Sequence, residues 1–187
     1  MKFKLLAVLS VVLMGLFSFA LPSWAYIEDD IDMLLLNNEC PVCILTDADL
    51  SGKNLYQANL KVAEMTGVNL SNTDLRKSNL MLAELKQADL SGANLAGAEL
   101  NGARLQNSTF VGANLSGAVL TQANLSDADF REVDLTNAEM TAAVIGNADL
   151  REANLTGANL RGANWSQAIM CNTVMPNGDV NDRNCDA

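Results

Sequence analysis

Large apolar residues recur along this chain with a spacing of five. Every residue number divisible by five from Leu50 to Met170 is large and apolar. Of these 25 positions 18 are Leu, and the others are Met65, Phe110, Phe130, Met140, Ile145, Trp165 and Met170. Two residues earlier, 19 of 25 are Ala, the exceptions being Lys53, Val68, Thr73, Ser78, Ser108 and Val133. Just before the apolar residue 16 of 25 are Asn or Asp, and nine of the 12 glycines fall two places after it. A frame held over 25 units is a repeat, and a repeat decides the fold before any helix or strand is assigned.

Period five suits neither regular structure. An α-helix repeats every 3.6 residues, so a Leu every fifth would spiral around all its faces. A strand repeats every two, so successive Leu would alternate sides. A chain that turns a corner every five residues does bury the pattern, because Leu and the Ala two before it share one parity and point inward. Gly two places after the Leu relieves a turn that needs positive φ.

The A(D/N)LXX units, such as Ala93-Asn94-Leu95, resemble the pentapeptide-repeat family. The resemblance implies an all-β solenoid, a right-handed quadrilateral β-helix in which four quintets close a 20-residue coil. Twenty-five units then make about six coils. At a chain spacing of about 4.8 Å the rod is ~30 Å long. Stacking by twenties puts Leu50, Leu70, Leu90, Phe110, Phe130, Leu150 and Met170 in one inner column, so Phe110 lands on Phe130. Lys53 breaks the Ala rule in the first coil, where an open end lets its ammonium reach water.

A solenoid needs lids, because its ends expose apolar side chains and unpaired backbone. Ile27, Ile31, Leu34 and Leu35 fall at helical spacing and predict a capping helix over Glu28 to Asn37, with acids in its first turn. Those acids read as a solvated face. Pro176-Asn177-Gly178-Asp179 is a turn that ends the repeat, and the tail to Ala187 folds back over the last coil. Four cysteines allow three pairings. Local pairing of Cys40 with Cys43 and of Cys171 with Cys185 staples each end and is the expected one. Both caps, Glu39-Cys40-Pro41-Val42-Cys43 and Cys171-Asn172-Thr173-Val174-Met175-Pro176-Asn177-Gly178, resemble those of exported cyanobacterial and chloroplast family members. The rival reading of Cys40 and Cys43 is a thiol–disulfide redox pair, which belongs at a helix start in a βαβ context.

The first 25 residues read as a leader. Lys2 and Lys4 precede an apolar run, Leu5 to Ala20, and Ser23 and Ala25 form a small-residue cleavage site. The competing reading is an uncleaved anchor, for which Trp24 suits a membrane interface. The expected organisation is a signal peptide at 1–25, an N-terminal cap at 26–46, the β-helix at 47–175 and a capping tail at 176–187. The leader predicts export, and the resemblance narrows the address to thylakoid lumen or periplasm, with no membrane contact after cleavage.

Composition then limits the chemistry. The 187 residues contain no His, which removes His-based triads and general bases and most zinc or haem sites. The net charge of −10 argues against binding to a phosphate backbone, so no nucleic-acid partner is expected. Asp129, Glu132, Asp149 and Glu152 fall on one side of adjacent coils, but Arg131 and Arg151 lie alongside, which reads as a charge-balanced wall. No loop motif supports Ca²⁺ there, and no catalytic residue, cofactor or metal is expected. Some family members inhibit DNA gyrase by mimicking DNA. Residues 47–170, however, hold 14 acids against nine bases, a net of only −5. What remains is surface: Val62, Met81 and Leu82 point outward on neighbouring coils, with Val119 further along, as a patch for a protein partner.

Overall fold

The structure is a computed structural model that describes residues 23–185, with side chains from residue 28. Most of the expected leader, residues 1–22, lies outside the described residues. So do the side chain of Ile27 and the last residues of the tail.

Each corner of the chain is a four-residue turn. At the first repeat the Lys53 N–H donates to the Leu50 carbonyl at 3.3 Å, and the same bond recurs at Ala58–Leu55, Ala93–Leu90 and Ala123–Leu120. Every fifth residue from Val42 to Ala142 has φ between +55° and +69°, as the third residue of a type II turn requires. Gly fills only part of this series. Asn, Asp, Gln, Lys and Glu adopt the same conformation, as do Val42, Val62 and Leu82. At the next corner the pattern shifts by one: Gly146 takes the positive φ instead of Asn147. There the Asn164 side-chain oxygen, not its carbonyl, receives the Ile145 N–H at 2.8 Å.

Between corners each wall pairs with the residue 20 positions on, in parallel, from Glu39↔Asn59 to Asn154↔Val174. Three backbone bonds join neighbouring coils at each wall. Leu50 N–H reaches Asn69 O at 2.8 Å, Gly52 N–H reaches Ser71 O at 2.8 Å, and Asn69 N–H reaches Ala48 O at 2.9 Å. Two of every five residues are spent on a turn, so a wall holds single bridges rather than regular strands. Among the described residues the regular strands are β1 (Thr173–Val174) and β2 (Val180–Asn181), an antiparallel pair in the tail. The ladder reaches back to Glu39, ahead of the start expected at residue 47. Counted in twenties from Glu39 to Val174, it makes just under seven coils rather than six.

The Asn or Asp before each Leu has a job that spacing alone did not reveal. Its side-chain oxygen accepts the N–H of the residue two places on, as from Asn114 to Ser116 at 2.9 Å and from Asp89 to Ser91 at 2.9 Å. That N–H lies on the outside of the corner, where the ladder offers it no carbonyl. The side chain therefore satisfies a donor that would otherwise depend on water.

Inside, the apolar residues of the frame form one continuous core. All are buried except Leu160 and Trp165 of the last coil, which pack against it half-exposed. Phe110 and Phe130 stack as expected, with ring centroids 4.6 Å apart and planes 15° from parallel. Thr73 and Ser78, in Ala positions, are buried, and their hydroxyls donate to the Leu50 and Leu75 carbonyls at 2.8 and 2.7 Å. Lys53 is exposed, as its place in the first coil implied.

The N-terminal lid is helix α1, Ser23–Asn37, longer than the helix expected from Glu28. No breaker separates Ser23 from Glu28, so the helix runs through the expected cleavage site. Its acids consequently sit in mid-helix rather than in the first turn. Leu34 is fully buried and Ile31 packs on the core, but Leu35 is 41% exposed, contrary to the predicted apolar face. Asn38, with φ +57°, ends the helix by donating its N–H to Leu34 O at 2.9 Å. Asp30 joins lid to ladder: its carboxylate accepts the Ile44 N–H at 2.8 Å, one of the donors that the first coil leaves unpaired.

The C-terminal lid folds back on the last coil. Arg183 O accepts the Met170 N–H at 3.1 Å, and its guanidinium lies 5.4 Å from the centre of the Trp165 ring. Disulfides Cys40–Cys43 and Cys171–Cys185 close the two lids. Two substitutions test how this stack is held. Leu115→Ala, which opens a cavity in the core, should cost about 2–5 kcal/mol. Asn114→Ala, which leaves the Ser116 N–H to water, should cost about 1 kcal/mol. Urea unfolding measures both, and equal costs would refute the division of labour between core and corner.

Candidate functional site

Three groups of side chains stand out on the surface. The first is an apolar edge. Corner residues 42, 62, 82 and 102 stack in consecutive coils, since Val42 N–H reaches Lys61 O, Val62 N–H reaches Met81 O and Leu82 N–H reaches Asn101 O, each at 2.9 Å. Val42 is 68% exposed, Val62 39% and Leu82 54%, and Met81 beside Leu82 is half-buried. The Leu82 side chain lies over Gly102, where a Cβ would come within 2.8 Å of Leu82 Cδ2. The edge thus runs from Val42 to Gly102 with Ile44, 44% exposed, on the wall that follows it. The sequence reading found Val62, Met81 and Leu82. It missed Val42 because that residue precedes the first full A(D/N)LXX unit. Val119 is half-buried on an adjacent wall and does not extend the edge.

The second is the charged wall. Asp129 and Asp149 are brought together in the ladder. Arg131 Nη2 lies 2.7 Å from Asp129, its Nε 3.9 Å from Asp149, and Arg151 pairs with Asp149. The Arg131 hydrogen bond, opposed by partial burial, holds the Asp129 carboxyl below its ordinary range, and the same contact raises the Arg131 guanidinium. A carboxylate held ionised is a poor proton donor at neutral pH. Glu132 and Glu152 occupy exposed corners and, among the described residues, form no ion pair. The wall therefore offers balanced charge rather than a split acid–base pair.

The third comprises the two lids. Asp30, Cys40 and Cys43 bring ligand-type atoms within 4.8 Å of one another. Both sulfurs are spent in a disulfide, so no thiolate is present for a metal or for exchange. Cys40 and Cys43 are also 0% and 3% exposed, and they follow α1 instead of starting a helix. At the other end Trp165, Met175, Pro176 and Asn177 line a shallow depression of about 510 Å³ with Asp179 to Asp182.

A model of the pentapeptide repeat region matches residues 83–165 and 103–183, and one of eight pentapeptide repeats matches 43–81. The chain belongs to the pentapeptide-repeat family. No curated protein sequence matches it significantly. Among solved structures it is similar to HetL, a pentapeptide repeat protein involved in heterocyst differentiation regulation in the cyanobacterium Nostoc sp. strain PCC 7120. That likeness has 24% identity and a TM-score of 0.54 over 76% of this chain and 83% of HetL, and it speaks to the fold alone. A pentapeptide repeat protein of the Arabidopsis thaliana thylakoid lumen is 31% identical over 61% of this chain and 69% of its own, with a TM-score of 0.30. QnrB1, a plasmid-mediated fluoroquinolone resistance protein, is 20% identical over 78% and 80%, with a TM-score of 0.40. Neither superposition is close enough to bear on function.

The charged wall predicts a specific pH response. Asp129 titrates lower in the folded chain than in the unfolded one. Its stabilising contribution is therefore complete above the ordinary carboxylate range, about pH 4, and is lost as the pH falls through the lower folded value. Asp129→Asn should lower stability more at pH 6 than at pH 3, as thermal unfolding at the two pH values will show.

Proposed function

We propose that this family member is a non-enzymatic exported protein. It acts as a rigid structural or protein-interaction element in the thylakoid lumen or periplasm. Its coils wind as a right-handed, four-walled β-helix, a reading supported by the 20-residue pairing and by the family's fold. The observation that carries the address is the pair of disulfides. All four cysteines are paired, one pair at each end of the stack, and such bridges form and persist in oxidising compartments. The leader pattern of the first 25 residues supports the same address.

The interaction role rests on the edge bearing Val62, Met81 and Leu82, since exposed apolar side chains grouped on one face mark partner sites. A DNA-mimicking inhibitor is the weaker alternative. Arginines and a lysine already engage Asp74, Glu84, Asp129 and Asp149, which thins the anionic face such a mimic needs. A redox role for Cys40 and Cys43 is weaker still, because the pair is buried.

A tagged full-length chain should fractionate with the lumen or periplasm, begin at Tyr26 after maturation, and resist thiol labelling, even when unfolded, until its disulfides are reduced. Recovery from the cytoplasm with labelled cysteines would overturn the proposal. Dose-dependent inhibition of gyrase supercoiling would revive the alternative.

A further inference from the structure

The corner conformation favours Gly, Asn and Asp; a β-branched residue at positive φ is an outlier that persists only against a cost. Two further corners bear an apolar side chain larger than Ala in the same column as Val42: they are Val62 and Leu82, in the next two coils. Each bears two penalties, a strained backbone and an apolar side chain in water. Corners elsewhere on the rod, in the series to residue 142, hold Gly or polar residues, apart from the small Ala142. The three side chains face outward and are between 39% and 68% exposed, above the buried core.

The surroundings of the edge say what covers it. Glu39 and Glu99 stand on the wall before it and Glu64 on the wall after it, all exposed and, among the described residues, in no ion pair, against two exposed cations, Lys61 and the Glu84-paired Arg104. Glu84 on the same side is already paired with Lys86 and Arg104. Three corners spaced about 4.8 Å apart span only ~10 Å. A strip that short cannot by itself supply the ~800 Å² per partner that a stable dimer buries. Two copies meeting there would also set like charges face to face, and an anionic lipid surface would be repelled in the same way.

Resting on the interaction role above, we propose that the Val42–Val62–Leu82 edge docks an amphipathic segment of another protein whose apolar stripe is flanked by Lys or Arg. The strain is what this site costs the fold, so relieving it separates binding from structure.

The test uses the full mature chain and the variant V42N/V62N/L82N, which places at each corner a residue suited to positive φ. The expected result is a higher Tm for the variant. A Leu/Lys amphipathic helical peptide, followed by fluorescence anisotropy, should bind the wild type and lose at least about tenfold in affinity for the variant. A Leu/Glu peptide of the same pattern should not bind. A lower Tm would make these residues structural and overturn the proposal, as would equal binding of the two peptides.

A photo-crosslinker at position 81 in the source organism distinguishes this assignment from the broader one. A crosslinked neighbour with a basic segment supports it. A neutral or acidic segment, lipid, or a second copy overturns the partner chemistry while leaving the edge an interaction site. Labelling no greater than from position 156, on another wall, overturns both.

Discussion

One backbone constraint organises this molecule: every fifth residue must enter the left-handed region so that the chain can turn a corner and continue. Once that is met, the rest follows by geometry. Parity sends Leu and Ala inward, the 20-residue return lays one coil on the last, and the ladder pairs what each wall exposes. The sequence satisfies the constraint by several routes. Gly removes the Cβ that the left-handed conformation crowds, whereas Asn and Asp tolerate it through their short polar side chains.

The outward Asn or Asp that precedes each Leu is the second layer of the design. A corner leaves one N–H facing away from the ladder, and a carboxamide or carboxylate two residues earlier meets it. Where the position holds Val119, Thr109 or Val144 instead, the turn stands without that contact. Inner and outer residues thus divide the work: apolar burial fixes which way the chain folds, and side-chain capping keeps the corners that carry Asn or Asp from needing water.

Much of this was legible in the residues themselves, and the parts that were not have physical reasons. The core was readable to the individual ring, because a fixed 20-residue return makes Phe110 and Phe130 neighbours by arithmetic. The capping role of Asn was hidden because a preference for Asn or Asp does not say which donor it meets. The helical lid was misjudged at both ends of its logic. Nothing between Ser23 and Glu28 stops a helix, and the helix buries a narrower stripe than its apolar spacing suggests, leaving Leu35 in water. The partner edge was only half visible: Val42 lies in the cap by its sequence but in the stack by its pairing.

The four-quintet return also governs how such a rod can change over time. Insertion or loss of twenty residues adds or removes one storey and leaves every wall facing as before. A change of five residues would instead rotate everything beyond it by a quarter turn, carrying any downstream surface to a different side. Length is therefore free to vary in whole storeys, whereas the compass bearing of each surface is inherited intact.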